Sequence, residues 1–286
     1  MKKHYPTIIL IVVFLVGLSV LLYPSVSNYY NSFHQSRAVA SYDADMGKLT
    51  DTDTSAYLQT AETYNKALLQ KGVSSFTLTD AEEQAYNQLL NVDGTGMMGY
   101  LTIKKLGIQL PIYHGTSESV LAAGIGHLAG SSLPVGGIGT HCVLSGHRGL
   151  PSAKLLTDLD QMEVGDTFTL TVLHETLTYE VDQILIVEPE DVTALAIDPK
   201  EDYCTLVTCT PYGINTQRLL VRGYRVKTPQ EIYVAADAVR IDPLMVAPAI
   251  AAPILLVLLI QLLVGPGKHP NTPKRRKIEK GGEMST

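Results

Sequence analysis

Two long runs without a charged side chain constrain this 286-residue chain more than any other feature. Thr7 to Tyr23 is 17 residues rich in Ile, Leu and Val behind Lys2 and Lys3. Leu244 to Val264 is 21 residues ahead of Lys268, Lys274, Arg275, Arg276, Lys277 and Lys280. A helix needs about 20 apolar residues to cross the hydrocarbon core, with about 17 at the short end. Both runs are therefore expected to span a membrane, and Pro248 and Pro253 in the second are tolerated there better than in a soluble helix. Basic flanks stay cytoplasmic. The expected order is a cytoplasmic stub (1–6), a span (7–23), an outward-facing middle, a linker (228–243), a second span (244–264) and a basic cytoplasmic tail (265–286). A cleaved signal peptide ending at Ser25-Val-Ser27 is the alternative for the first run.

Between the spans 14 Lys+Arg stand against 26 Asp+Glu, a balance of −12. That charge argues against nucleic acid or anionic lipid as the partner of the middle region.

The middle changes character near residue 96. From 24 to 96 the pattern is helical: Tyr57, Ala61, Tyr64 and Leu68 fall on one helix face. Thr79-Asp-Ala-Glu82 is a capping box that opens a helix from Asp80 to Leu90. Residues 72–79 between these helices read as a loop, and Asn91–Gly96 as a turn-rich boundary. From 97 to 227 short runs rich in Val, Ile, Leu, Thr and Tyr predict strands over 99–103, 108–113, 141–144, 167–173, 178–187, 203–208 and 218–226. A short helix is expected near Glu118–Ala123, and a hairpin breaks near His174-Glu-Thr176. Close spacing of short strands indicates a closed β-barrel, so the fold class is mostly β.

The chemistry gathers at strand ends. Thr205-Leu-Val-Thr-Cys209 places a thiol at the end of one run, and Arg218 begins the next. A thiolate attacks a carbonyl carbon and forms a thioester that an amine can take over. With an ordinary pKa near 8.5 the thiol needs a cation or base nearby. Ser145-Gly-His147-Arg-Gly149 offers His147 on a glycine-flanked loop, a position from which a side chain reaches a cleft. His114 and His127 remain its rivals. Arg218, across the turn from Cys209, can donate to a carbonyl oxygen as it becomes anionic. Arg222 sits about 13 Å further along the strand and suits a structural role better. Arg148 is the other alternative, read as a solvated loop residue. Ser145 and Thr208, beside the histidine and the cysteine, are candidate substrate-binding residues. Cys142 and Cys204 are expected as two buried thiols, with a bridge between them as the alternative. No metal or cofactor is expected, since the histidines and cysteines lack ligand spacing.

Thr-Leu-Val-Thr-Cys209, the nine-residue step to Arg218 and the upstream His147 resemble the His–Cys–Arg set of the sortases. Residues 97–227 are similar to a whole sortase domain. Gly126-His-Leu, Leu133-Pro-Val-Gly-Gly137, Ser145–Pro151 and Thr208–Gly213 resemble class C, the pilin-polymerising type, which also has a helical N-terminal extension and two spans. The resemblance implies an eight-stranded barrel on the outer face of a Gram-positive cell. It implies that Cys209 attacks the Thr–Gly bond of an LPxTG-like signal and that His147 serves as proton donor and acceptor. Arg218 would hold the substrate, and a pilin lysine would be the acceptor. A wall-precursor amine is the alternative acceptor, and an inactive barrel that binds sorting signals is the alternative of another class. Class C enzymes carry an Asp-Pro-aromatic lid before the barrel. Here residues 74–79 read Ser-Ser-Phe-Thr-Leu-Thr, which leaves Phe76 and Leu78 as possible lid residues over Cys209.

Overall fold

The computed structural model describes residues 5–71 and 76–228, together with Ile254 and Val257. The second expected span, the linker, the basic tail and residues 72–75 of the possible lid lie outside the described residues, apart from Ile254 and Val257. The unit that carries the site runs from Leu18 to Asp237, and residues before it group separately.

Helix α1 (Tyr5–Met46) is one continuous 42-residue helix that passes through Pro24. The segment it begins is long and apolar enough to cross a membrane, with a mean hydropathy of 2.6. Helix α2 (Asp51–Lys71) follows. Its Ala61 is fully buried, and Asn65 pairs in both directions with the Leu133 backbone: Nδ2 donates to the carbonyl at 3.2 Å and Oδ1 accepts from the N–H at 2.7 Å. Helix α3 (Asp80–Tyr86) opens on the expected capping box, with Thr79 and Glu82 satisfying each other's backbone N–H groups. It ends four residues earlier than the sequence pattern indicates. Leu90 takes a φ of +58° and is fully buried, so a left-handed residue turns the chain into the barrel where the apolar pattern alone suggested more helix.

Eight strands close into a barrel: β1 (Met97–Ile103), β2 (Ile108–His114), β3 (Ile125–His127), β4 (Thr140–Ser145), β5 (Thr167–Val172), β6 (Glu175–Val187), β7 (Asp202–Thr210) and β8 (Gln217–Val226), in the order β1-β2-β3-β4-β7-β8-β6-β5. Helix α4 (Glu118–Ala123) bridges β2 and β3. Seven strands match the sequence reading within three residues at each end. The eighth, β3, has three residues and escapes a periodicity argument, which needs at least four. Closure leaves no edge strand exposed.

Interior positions alternate with outward ones along every strand. Leu206, Cys204, Leu144, Cys142, Leu170 and Val221 are buried in the barrel core, which also takes in Val39, Tyr42 and Met46 of α1. A second, smaller apolar cluster of Val143, Leu195 and Leu220, with Val207, Leu185 and Val187 against it, lies on the opposite face of β4, β7, β8 and β6.

Candidate active site

Register places two of the three expected groups directly opposite each other and brings the strand before the third alongside. Strands β4 and β7 run parallel, with Val143 opposite Thr205 and Ser145 opposite Val207. The ladder continues one step further, since the Gly146 N–H donates to the Val207 carbonyl at 3.0 Å. His147 follows one residue later, just beyond the end of β4. On the other side, antiparallel pairing makes Arg218 the direct partner of Cys209. Cys209 lies on the face of the sheet that carries Val207 and Leu220.

Local sequence explains the histidine's placement. A Cβ at Gly146 would lie 2.7 Å from Ile125 Cδ1 and 2.8 Å from Leu156 Cδ1, so only glycine lets the chain leave β4 this close to its neighbours. Thr208 then donates from Oγ1 to the Gly146 carbonyl at 2.8 Å. The Thr208 side chain is buried on the interior face, so its hydroxyl holds the histidine loop and does not face the groove. Ser145 is half-buried at the end of β4, on the groove face with Val143.

His147 is 23% exposed, and its buried Nε2 has no hydrogen-bond partner among the described residues. The nearest carboxylate is Glu118 at the start of α4, whose Oε1 lies 3.5 Å from Nε2 and whose side chain is 84% exposed. The rivals are spoken for. His127 is fully buried, with Nδ1 on the Tyr86 hydroxyl at 2.8 Å and Nε2 on the Ser132 carbonyl at 2.8 Å. His114 lies against the Gly96 and Leu89 carbonyls, and burial holds it below the ordinary imidazole range.

The arginines separate by what they touch. Arg222 grips Asp182 with two bonds, of 3.1 and 2.7 Å, and lies 4.2 Å over the Tyr203 ring. The Asp182 hydrogen bond raises its pKa further. Its guanidinium is engaged in the sheet. Arg218 donates only to the Asn215 and Gln217 carbonyls of its own turn.

Arg148 corrects the sequence reading. It is 8% exposed, not a solvated loop residue, and pairs with Asp160. It also donates to the Thr157 carbonyl at 3.1 Å and to Thr210 Oγ1 at 3.2 Å. Thr210 follows Cys209, so Arg148 ties the residue after the histidine to the residue after the cysteine. Gly149 (φ +76°) packs under the Tyr212 ring and completes this clamp. The signal that reveals Arg148 is its place between His147 and Gly149, but the Asp160 partner comes from a segment with no motif.

Beyond Cys209, the same sheet face carries the apolar cluster of Val143, Leu195 and Leu220, with Val207 against it. Phe76 packs on this cluster, while Leu78 packs against the main core. The Phe76 backbone also crosses Gly130 (φ +86°), where a Cβ would come within 3.2 Å of it. Cys142 and Cys204 are register partners inside the barrel, both free and fully buried, and burial pushes the Cys204 thiol up.

A thiol paired with a guanidinium at the end of an apolar sheet face, with a histidine just past the neighbouring strand, has the groups needed to accept an acyl group. The family model of the sortase domain matches residues 101–226. Over 185 residues the chain is 30% identical to sortase D of Bacillus subtilis, a match that covers 63% of this chain and 88% of that relative. The crystal structure of sortase C1 from Streptococcus agalactiae superposes with a TM-score of 0.65 at 51% identity, covering 67% of this chain and 99% of that one. Sortase C of Clostridium perfringens, solved with the C-terminal cell wall sorting motif, gives 0.60 at 40% identity over 68% of this chain and the whole of that one.

Proposed function

The chain belongs to the sortase family, with class C enzymes as its structural neighbours, and from that premise we propose that it polymerises pilins. In this reading a membrane-anchored enzyme with an extracellular barrel cleaves an LPxTG-like sorting signal and passes the acyl group to a lysine of another subunit. The observation that supports it is the pairing of Cys209 with Arg218 across β7 and β8, with the unpartnered imidazole of His147 just past the end of the neighbouring strand β4.

The Cys209 thiolate attacks the threonine carbonyl carbon of the Thr–Gly bond. The carbonyl oxygen becomes anionic and takes hydrogen bonds from Arg218, which a planar fork of donors suits. Collapse forms the Cys209 thioester and breaks the C–N bond, and His147 gives its proton to the departing glycine amine. The acceptor lysine amine then attacks the thioester carbonyl, His147 takes up its proton, and Cys209 leaves as the thiolate. An isopeptide bond forms, and the enzyme returns to its starting state. The apolar floor of Val143, Val207 and Leu220 supports the reading by offering a surface for the signal's leucine and proline. Phe76, packed on that floor, acts as a lid that must move aside.

The experiment is incubation of the full chain with a pilin bearing an LPxTG-like tail. A ladder of SDS-resistant polymers is expected, lost in Cys209→Ala. Single products joined to a wall-precursor amine, with no ladder, would instead make the enzyme a wall anchor. Binding of the signal that survives Cys209→Ala without any covalent product would make it a binding module.

A further inference from the structure

Helix α1 presents two opposite faces after its apolar run ends. One holds the barrel. Asn28 Oδ1 accepts from the Lys154 N–H at 2.8 Å, Asn31 Nδ2 donates to the Ser152 carbonyl at 2.8 Å, and Gln35 Nε2 donates to the Ala123 carbonyl at 3.2 Å. Further along, Tyr42 is buried; its hydroxyl donates to the Met98 carbonyl and accepts from the Leu173 N–H, both at 2.8 Å. The other face carries Tyr23, Val26, Tyr29, Tyr30 and Phe33, each between 56% and 63% exposed. At 100° per residue these five fall within an arc of about 120° centred opposite the barrel-facing residues.

Four aromatic rings and a valine left bare in one stripe are more than a water-facing stalk has reason to carry. The stripe continues the apolar run directly. No Asp, Glu, Lys or Arg occurs from Tyr5 to Ser36, and the first is Arg37. That length of helix is about 48 Å, against about 40–45 Å for a bilayer with its headgroups. Tyrosine, with an apolar ring and a polar tip, favours the headgroup layer.

We propose that the Tyr23–Phe33 stripe lies in the headgroup layer of the bilayer, with α1 tilted onto that face and the barrel carried on the opposite face, at the level of Asn28 and Asn31. Ser152 and Lys154, the barrel residues nearest the membrane end of α1, belong to the loop that follows His147, and the His147 carbonyl accepts from Leu156 N at 3.2 Å in the same loop. The histidine end of the active site therefore works close to the bilayer, where a substrate still held by its own membrane segment is within reach. The inference rests on the membrane anchoring proposed above.

The chain contains no tryptophan, so single reporters are clean. The full chain carrying Tyr30→Trp or Phe33→Trp is reconstituted in phosphatidylcholine vesicles with lipids spin-labelled near the headgroup or deep in the acyl chain. Val12→Trp and Ile138→Trp, the latter 73% exposed on the barrel, serve as references. Quenching at positions 30 and 33 should be several-fold stronger with the shallow label than with the deep one. Val12→Trp should show the reverse, and Ile138→Trp should respond to neither. The proposal is overturned if both stripe reporters respond only to aqueous iodide, as Ile138→Trp does. It is equally overturned by blue-shifted emission that no lipid label quenches, which would mean that protein, such as a second copy, covers the stripe. An unquenched Val12→Trp would remove the membrane anchoring itself, and this inference with it.

Discussion

Cys209 and Arg218 face each other across the β7–β8 ladder, yet the Arg218 guanidinium turns back to the Asn215 and Gln217 carbonyls, at 3.3 and 3.0 Å. Bonds to exposed turn carbonyls are weakly held, so the side chain can swing to a substrate oxygen at little cost. Arg218→Lys keeps the charge and loses the fork. Steady-state cleavage of a sorting-signal peptide should fall about 10²–10³-fold in kcat/KM, the usual cost of one oxyanion donor, with unfolding unchanged. Arg222→Lys should do the opposite: it loses on the order of 1–2 kcal/mol of stability by breaking a two-bond pair, with turnover nearly intact. Equal loss of turnover in both variants would deny Arg218 its special role.

Arg148 joins the histidine loop to Thr210 and Asp160, and no part of it reaches the groove as a reactant. Arg148→Ala should therefore act by letting His147 drift relative to Cys209. A misplacement near 1 Å costs about 10²-fold in rate. The expected signature is a fall in kcat with KM for the peptide changed little. Alkylation of Cys209 by a small thiol reagent should proceed as in the parent chain. A variant with a raised KM and an unchanged kcat would assign Arg148 to substrate binding instead.

Phe76 rests half-buried on the floor formed by Val143, Val207 and Leu220. Removing its ring gives up about 1–2 kcal/mol of apolar burial, which corresponds to roughly tenfold easier opening. Phe76→Ala should thus raise the rate of Cys209 modification by a bulky thiol reagent about tenfold. Leu78→Ala, which removes packing from the main core, should lower stability without that gain. Unchanged reactivity in Phe76→Ala would end the lid reading.

The barrel was readable because its strands are short runs of β-branched and aromatic residues between turn formers, and the cysteine, histidine and arginine stood out by sitting at the ends of those runs. Two kinds of feature were hidden. Strand β3 is too short to show a period, and the early end of α3 depends on one backbone conformation, the left-handed Leu90, that an apolar pattern does not encode. Arg148 reads as solvated from sequence because Thr157 and Asp160 fold back on it from its own β4–β5 connection and Thr210 reaches it from the neighbouring β7, and no motif marks any of them. Period two likewise places the Thr208 hydroxyl inside the barrel, one step out of phase with Cys209.

His141 links stability to pH apart from catalysis. It is 1% exposed, with Nδ1 on the Ala196 carbonyl at 2.8 Å and Nε2 on Thr205 Oγ1 at 2.7 Å. A neutral ring that donates from Nδ1 and accepts the threonine hydroxyl at Nε2 satisfies both contacts. Burial accordingly lowers its pKa in the fold, and the Arg222 charge adds to this. The unfolded chain takes up a proton near pH 6.5, so below that point it binds more protons than the fold does. Stability then falls as pH drops. The contribution is complete above the ordinary histidine range and is lost as pH falls through it toward the lowered value. Asp202, whose carboxyl is raised by burial, acts with the opposite sign: its contribution grows as pH falls through the raised value and is complete below the ordinary carboxyl range. His141→Gln preserves a donor and an acceptor without a titrating group. Its urea midpoint should be lower than the parent's at pH 7.5, with the gap narrowing toward pH 5. Parallel curves over that range would mean that His141 is protonated in the fold.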